Sequence, residues 1–317
     1  MNRAAAAALL CLGLLNVQVS RAETEADAMA RARAATQTKD FATSLSIYRT
    51  WSESGSTAAP ALLGLMYWVG NGVPADHLQA CNFYATGEQR GDAQATELLG
   101  DCFYHGDGRP QDYAQSALLY RRASERGMAP ADCALGNQFL LGLGVDKDPA
   151  KAFTLCKHSA ELGARDAQTD LGRMYLTGQG VQRDSKEAAR WFQKAMDQGQ
   201  ANAALLLGEM FWNGDGVERD HRQAAKAWYL SAYYQSTSAP ALLAKYYFVG
   251  AVVKGDKPTI VVEPAVKAVY WGTIASRADP DPVARQESLK LANMLLTLAP
   301  DLKAKVDALL ASGAPAL

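Results

Sequence analysis

Histidine is nearly missing from this chain. There are four, at His77, His105, His158 and His221, each isolated from the others in sequence. Five cysteines occur and no CxxC pair, so the usual ligand spacings for zinc are absent. Charge of one sign is lacking too: 32 basic residues face 33 acidic ones, which leaves no electrostatic footprint for nucleic acid or an anionic membrane. No apolar run reaches the 18 residues that a membrane-spanning helix needs. No Ser-His-Asp grouping, His-Glu-x-x-His or paired-carboxylate signal stands out. The Gly-x-Gly pairs follow helical patterns and lack the strand-loop-helix setting of a dinucleotide site, so they read as turns. No residue is therefore assigned a catalytic, cofactor-binding or metal-binding role, and no cofactor is expected.

What is abundant is repetition. Gly64, Gly100, Gly136, Gly172 and Gly208 recur at a period of 36, with Ala244 in the sixth register. Around them stand LLGLMYWVGNGV, LLGDCFYHGDGR, ALGNQFLLGLGV, DLGRMYLTGQGV, LLGEMFWNGDGV and LLAKYYFVGAVV. An aromatic follows each anchor by three residues (Tyr67, Phe103, Phe139, Tyr175, Phe211, Tyr247) and an aspartate by twelve (Asp76, Asp112, Asp148, Asp184, Asp220, Asp256). One supersecondary unit copied in unbroken register predicts a stack of like units.

Each unit reads as a helical hairpin. In the fourth copy Ala167, Leu171, Gly172 and Tyr175 fall on one helical face, small alternating with large. Gly172 leaves room for close approach of a neighbouring helix, which explains a mid-helix glycine despite its cost of about 1 kcal/mol. Gly178 and Gly180 stop the helix, Asp184 caps the next, and Glu187 completes a capping-box-like pair. The second helix runs through Ala188, Trp191, Phe192 and Ala195 to Gly199.

The pattern A-x3-LG-x2-[YF]-x2-G-x-GV-x3-D-x3-A-x2-W[FY]-x2-A-x3-G resembles the Sel1-like repeat, a relative of the tetratricopeptide repeat. That resemblance implies an all-α, right-handed α-solenoid of stacked helical hairpins with helical caps. The expected divisions are a signal peptide at 1–22, a degenerate tetratricopeptide-like hairpin at 23–54, the repeats at 55–254, and a degenerate last repeat with a C-terminal helical cap at 255–317. Arg109 in the second copy, and Ala244, Ala251 and Val252 in the sixth, depart from the pattern. The resemblance further implies binding of another protein, with no nucleic acid and no integral membrane segment. Exported members include immunity proteins that neutralise type VI secretion phospholipase toxins, and envelope scaffolds for exopolysaccharide export, motors or signalling. A β-lactamase-like enzyme is the competing class, but nothing here supplies an activated serine.

The leader has its own logic. Arg3 precedes AAAAALLCLGLL, too short to span a bilayer, and Ser20-Arg21-Ala22 places small residues where a signal peptidase reads, so cleavage is expected after Ala22 and the mature chain in the periplasm. Cys11 raises a lipoprotein alternative but lies inside the apolar run. Loss of Arg3 and Arg21 takes the basic count from 32 to 30 against 33 acidic residues, a net charge near −3.

Export also makes disulfides admissible. Cys81 and Cys102 are equidistant from the turn between the first two copies, and Cys133 and Cys156 from the turn within the third, so hairpin geometry favours Cys81–Cys102 and Cys133–Cys156. Four buried thiols remain the alternative.

First-helix residues turned away from the partner helix would line a recognition groove: Leu65 and Trp68, Glu97, Asp101 and Tyr104, Asn137 and Leu140, Thr169, Arg173 and Leu176, Glu209 and Trp212, Lys245 and Phe248. Packing between neighbouring first helices explains the same stripe, and both readings stay open. Past Asp256, KPTIVVEPA precedes three expected helices, at about 265–276, 282–298 and 301–311; its IVV segment reads as a partner-binding strand or loop.

Overall fold

The computed structural model describes residues 23–253 and 259–313; the expected leader and Asp256 lie outside them. The described residues form sixteen helices and one antiparallel ladder of two-residue strands. In order they are α1 (Glu25–Gln37), α2 (Phe41–Glu53), α3 (Ala59–Val69), α4 (His77–Gln89), α5 (Ala93–His105), α6 (Tyr113–Glu125), α7 (Ala129–Leu141) and α8 (Pro149–Glu161). Then come α9 (Arg165–Thr177), α10 (Ser185–Asp197), α11 (Ala201–Asn213), α12 (His221–Tyr233), α13 (Ala239–Ala251), α14 (Val262–Ala278), α15 (Pro282–Leu298) and α16 (Leu302–Ser312). Between α13 and α14, β1 (Val252–Val253) pairs with β2 (Thr259–Ile260). The chain divides into two compact units, Met1–Ala95 and Thr96–Leu317, and the division falls within α5.

Within a copy, the anchor glycine decides how close the two helices come. A Cβ on Gly172 would stand 2.6 Å from Cε1 of Phe192, the residue twenty positions on in the second helix. The same relation joins Gly100 to Tyr120, Gly64 to Tyr84 and Gly208 to Trp228. Each glycine is the floor under an aromatic ring of its own hairpin. The third copy differs: Cys156 takes the ring's place, 3.1 Å from a Cβ on Gly136, and is bonded to Cys133. Leucines just before the anchors, such as Leu63, Leu171 and Leu207, are almost fully buried, each contributing roughly 1.5–3 kcal/mol of burial.

The loop between the helices is held at both ends. Gly178 adopts the left-handed conformation at φ 75° and ends α9. The Asp184 N–H then donates to the carbonyl of Tyr175 at 2.9 Å, and the Asp184 carboxylate accepts from the Lys186 and Glu187 N–H groups at 3.0 and 3.1 Å. The backbone bond recurs in five copies, from Asp76 to Tyr67, Asp112 to Phe103, Asp148 to Phe139 and Asp220 to Phe211. It also corrects one expectation. Glu187 makes no capping box, because the Asp184 N–H is already taken and the Glu187 carboxylate pairs with Arg190. The second loop glycine serves stacking: a Cβ on Gly180 would strike the Pro149 carbonyl of the preceding copy, and one on Gly216 the backbone of Ser185.

At the C-terminal end, α14 packs between α13 and α15, and Leu302 and Val306 of α16 join the same core as Trp228, Leu243, Val269 and Trp271. α14 begins at Val262, so of the IVV segment Ile260 pairs in β2 and Val262 is already helical.

Candidate functional site

The expected groove residues fall into distinct groups. Leu65 and Trp68 belong to the Met1–Ala95 unit, where both are half-buried and Trp68 stacks flat on His77 with ring centroids 4.2 Å apart. The others lie in Thr96–Leu317. Tyr104, Asn137, Leu140 and Arg173 meet there, lining a cavity of about 360 Å³ together with Asp170, Met174 and Thr177.

Asp170 organises that cavity. Its carboxylate accepts from Asn137 Nδ2 at 2.9 Å and from Arg173 Nη2 at 3.0 Å, fixing two side chains on neighbouring first helices. Arg173 remains 61% exposed, so most of its five donors still face outward. Tyr104 supplies the apolar wall, edge-on to Tyr113 at 5.5 Å, with its carbonyl accepting from Gln111 Nε2 at 2.8 Å. Burial raises the Tyr104 hydroxyl above its usual value, with Tyr113 adding to the effect.

Beside it stands an acidic pair. Burial, then the neighbouring carboxylates of Asp101 and Asp166, push Glu97 up to about 7. Burial also raises Asp101, against which the Tyr120 hydroxyl, donating at 2.6 Å, and His105 pull it back down. Asp101 thus turns toward its own second helix, where the expected groove had it facing away. Thr169 is buried, and its hydroxyl donates to the Arg165 carbonyl.

A second group, Glu209, Trp212 and Lys245, lines a smaller cavity of about 200 Å³ with Trp228 and Leu242. Trp212 is shared between that cavity and the core: it stacks on His221 at 4.3 Å and leans on Trp228 at 5.4 Å. Phe248 and Leu176 pack against core clusters. The aromatic stripe is therefore half structural, and Tyr104 and Trp212 each divide their surface between packing and an open cavity.

Asp170 was missed by the sequence reading, although a signal existed. At its register, two before the anchor, the other copies carry Leu62, Leu98, Ala134, Leu206 and Leu242, so an aspartate there breaks an apolar column. The His158 side chain is exposed, yet its Nδ1 lies 2.6 Å from the buried Asp132 carboxylate, which also accepts from Ser124. Ser124 and His158 both bond to the aspartate and not to each other, so the trio lacks the serine–histidine contact of an activated nucleophile. Cys133 and Cys156 are joined, with Cα atoms 4.1 Å apart, and Cys81 and Cys102 are disulfide-bonded as well.

Five consecutive segments, 58–92, 93–128, 129–163, 165–200 and 201–236, match the Sel1 repeat model. The chain belongs to the Sel1 repeat family. Its fold is that of solved Sel1 repeat solenoids. A Sel1 repeat protein from Oxalobacter formigenes superposes with a TM-score of 0.64 at 24% identity, covering 81% of this chain and 99% of its own. The protective antigen c5321 of uropathogenic Escherichia coli, described as having an SLR fold, gives 0.61 at 24% identity over 92% of this chain and 65% of its own. Immunity protein Pa5087 from Pseudomonas aeruginosa gives 0.44 at 18% identity, covering 78% and 81%. No curated protein matches the chain. Sel1 repeats are protein-interaction modules, and among the described residues no helix is long and apolar enough to cross a membrane and no cluster could hold a metal ion.

Proposed function

We propose that this Sel1 repeat protein is exported to the periplasm, its leader cleaved after Ala22, and that it binds a partner protein on the first-helix face of α5, α7 and α9. The observation that carries the reading is the cavity around Asp170. A tyrosine wall, an apolar floor and an arginine held by one bond with its other donors outward form the kind of anchor at which binding energy concentrates. The half-buried Glu97–Asp101 pair beside it would complement a cation on the partner, because a positive charge brought there favours the ionised carboxylate against the burial, and then the neighbouring carboxylates, that raise Glu97. Disulfide cross-links suit an oxidising compartment.

The specific role we assign is that of an immunity protein that neutralises a secreted phospholipase toxin of a type VI system, as the family resemblance implies. Such a role asks only for tight occupation of the toxin by a rigid surface, and no residue is given a catalytic part. Co-expression of the phospholipase in the periplasm with the chain tests this. Survival with the unaltered chain, and death with Arg173→Glu or Tyr104→Ala that still fold, is expected. Binding to an envelope-assembly protein without protection would replace immunity by scaffolding, and survival with both variants would remove the proposed face. Intact mass of the exported chain should begin at Glu23; retention of residues 1–22 would refute the leader assignment.

A further inference from the structure

The fourth copy carries a row of three cations that is complete in no other copy. On α10, Lys186, Arg190 and Lys194 stand four residues apart along one line of the helix, all exposed. In the same register the first copy has Leu78, Asn82 and Thr86, the third has Ala150, Thr154 and His158, and the fifth keeps two cations, Arg222 and Lys226, before Leu230; no other copy has a lysine or arginine at all three places. The hairpin does not require them, since every other copy folds without the row.

Beside the row opens the largest of the cavities described, about 660 Å³, between α10, the C-terminal half of α11 and the loop of residues 214–217. Its floor is apolar, made by Trp191, Leu207, Phe211 and Val217. Its rim holds the three cations and one anion, Glu187, whose carboxylate is paired to Arg190. Lys194 Nζ lies 3.9 Å over the Trp191 ring, so its stem borders the floor while its charge remains at the rim.

We propose that this cavity is a second protein-docking site, which takes an acidic amphipathic helix of a partner. The helix lays its apolar side on the Trp191–Phe211 floor and its carboxylates along Lys186, Arg190 and Lys194. Charge complementarity selects this occupant. The row spans eight residues, about 12 Å at 1.5 Å per residue, which matches carboxylates four residues apart on another helix. Arg190 already has Glu187, and one lipid headgroup or one free carboxylate would satisfy one of the two lysines and leave the other, about 12 Å along the row, without a counterpart. Its cations stand on a second helix and its first-helix lining comes from α11, outside the face of α5, α7 and α9 proposed above, so it does not depend on that face.

The test uses the mature full-length chain and a fluorescein-labelled helical peptide with glutamates at three positions four apart and leucines on the adjacent stripe. Its partner control has glutamine at the three positions. Anisotropy should show micromolar binding of the glutamate peptide, at least tenfold weaker binding of the glutamine peptide, and weakening as salt rises. Lys186→Glu with Arg190→Glu should lower affinity at least tenfold with an unchanged helical signal, while Arg173→Glu should leave it intact. Equal binding of the two peptides, or affinity untouched by the charge reversal, overturns the proposal. So does charge-reversal-sensitive binding of phosphatidylglycerol vesicles in place of the peptide.

Discussion

Replacing Gly172 by alanine should destabilise the chain, although alanine is the better helix former. A Cβ built there stands 2.6, 2.7 and 3.1 Å from Cε1, Cδ1 and Cζ of Phe192, where carbon atoms rest at about 3.5–4.0 Å. The ring must withdraw by about 1 Å, and Phe192 is fully buried, so it has no solvent side to move into. Helix propensity favours alanine by about 1 kcal/mol. Overpacking of a filled core costs about 1–3 kcal/mol, and a ring forced off its rotamer adds about 0.5–1.5 kcal/mol. The net expectation is a loss of about 0.5–3.5 kcal/mol, centred near 2, which moves the melting temperature down by a few degrees. Urea unfolding followed by far-ultraviolet circular dichroism measures it, on Gly172→Ala, Phe192→Leu and the double variant. Because the clash is with the ring, the double variant should be more stable than the sum of the singles predicts, by about 1 kcal/mol. A Gly172→Ala chain more stable than the parent, or strict additivity, would refute the account of the anchor glycines. Gly172→Leu should unfold the repeat outright.

Glu97→Gln should act only at higher pH: Glu97 titrates near 7 against an ordinary 4.5, so between these values the folded chain holds a proton that the unfolded chain has lost, and stability falls as pH rises across the window. Melting at pH 8 should therefore favour Glu97→Gln, with little difference at pH 4.5, and a gain of equal size at both would point to packing instead. The Cys133–Cys156 bond closes a loop of 23 residues and should contribute about 3 kcal/mol in the chain-entropy model, read from the urea midpoint of the Cys133→Ala, Cys156→Ala chain. Non-reducing peptide mapping should recover that pair together with Cys81–Cys102; a Cys102–Cys133 link would sink the connectivity. Arg173→Ala should weaken partner binding by about 2 kcal/mol by calorimetry while the melting transition stays put, since the side chain is mostly exposed.

The hairpin was legible because everything that makes it is local or periodic. Anchor glycines and the capping aspartates from Asp76 to Asp220 could be placed from spacing alone. The capping box at Glu187 failed for a reason no short motif carries: the N–H it needed is bonded to a carbonyl nine residues earlier. The stacking of Trp68 on His77 and of Trp212 on His221 also escaped, though the copies record it. Where the anchor-plus-four residue is tryptophan the first residue of the next helix is histidine, and where it is Leu140 or Leu176 that residue is Pro149 or Ser185. The site was harder, since Asp170 acts through Asn137 on a different copy, 33 residues away, and the cation row of α10 only has meaning beside a cavity built partly by the next copy.

The cystine of the third copy has a further bearing. Elsewhere the space above the anchor glycine is filled by a ring, which is there whatever the redox state; above Gly136 it is filled by Cys156, held by its bond to Cys133. A newly made chain in a reducing compartment has only a small thiol at that place. Repeat stacks are coupled through nearest neighbours, so softness in an interior copy divides cooperativity in the middle instead of fraying an end. Oxidation then stiffens copy three within Thr96–Leu317, and thiol reagents added during refolding should separate one unfolding transition of that unit into two.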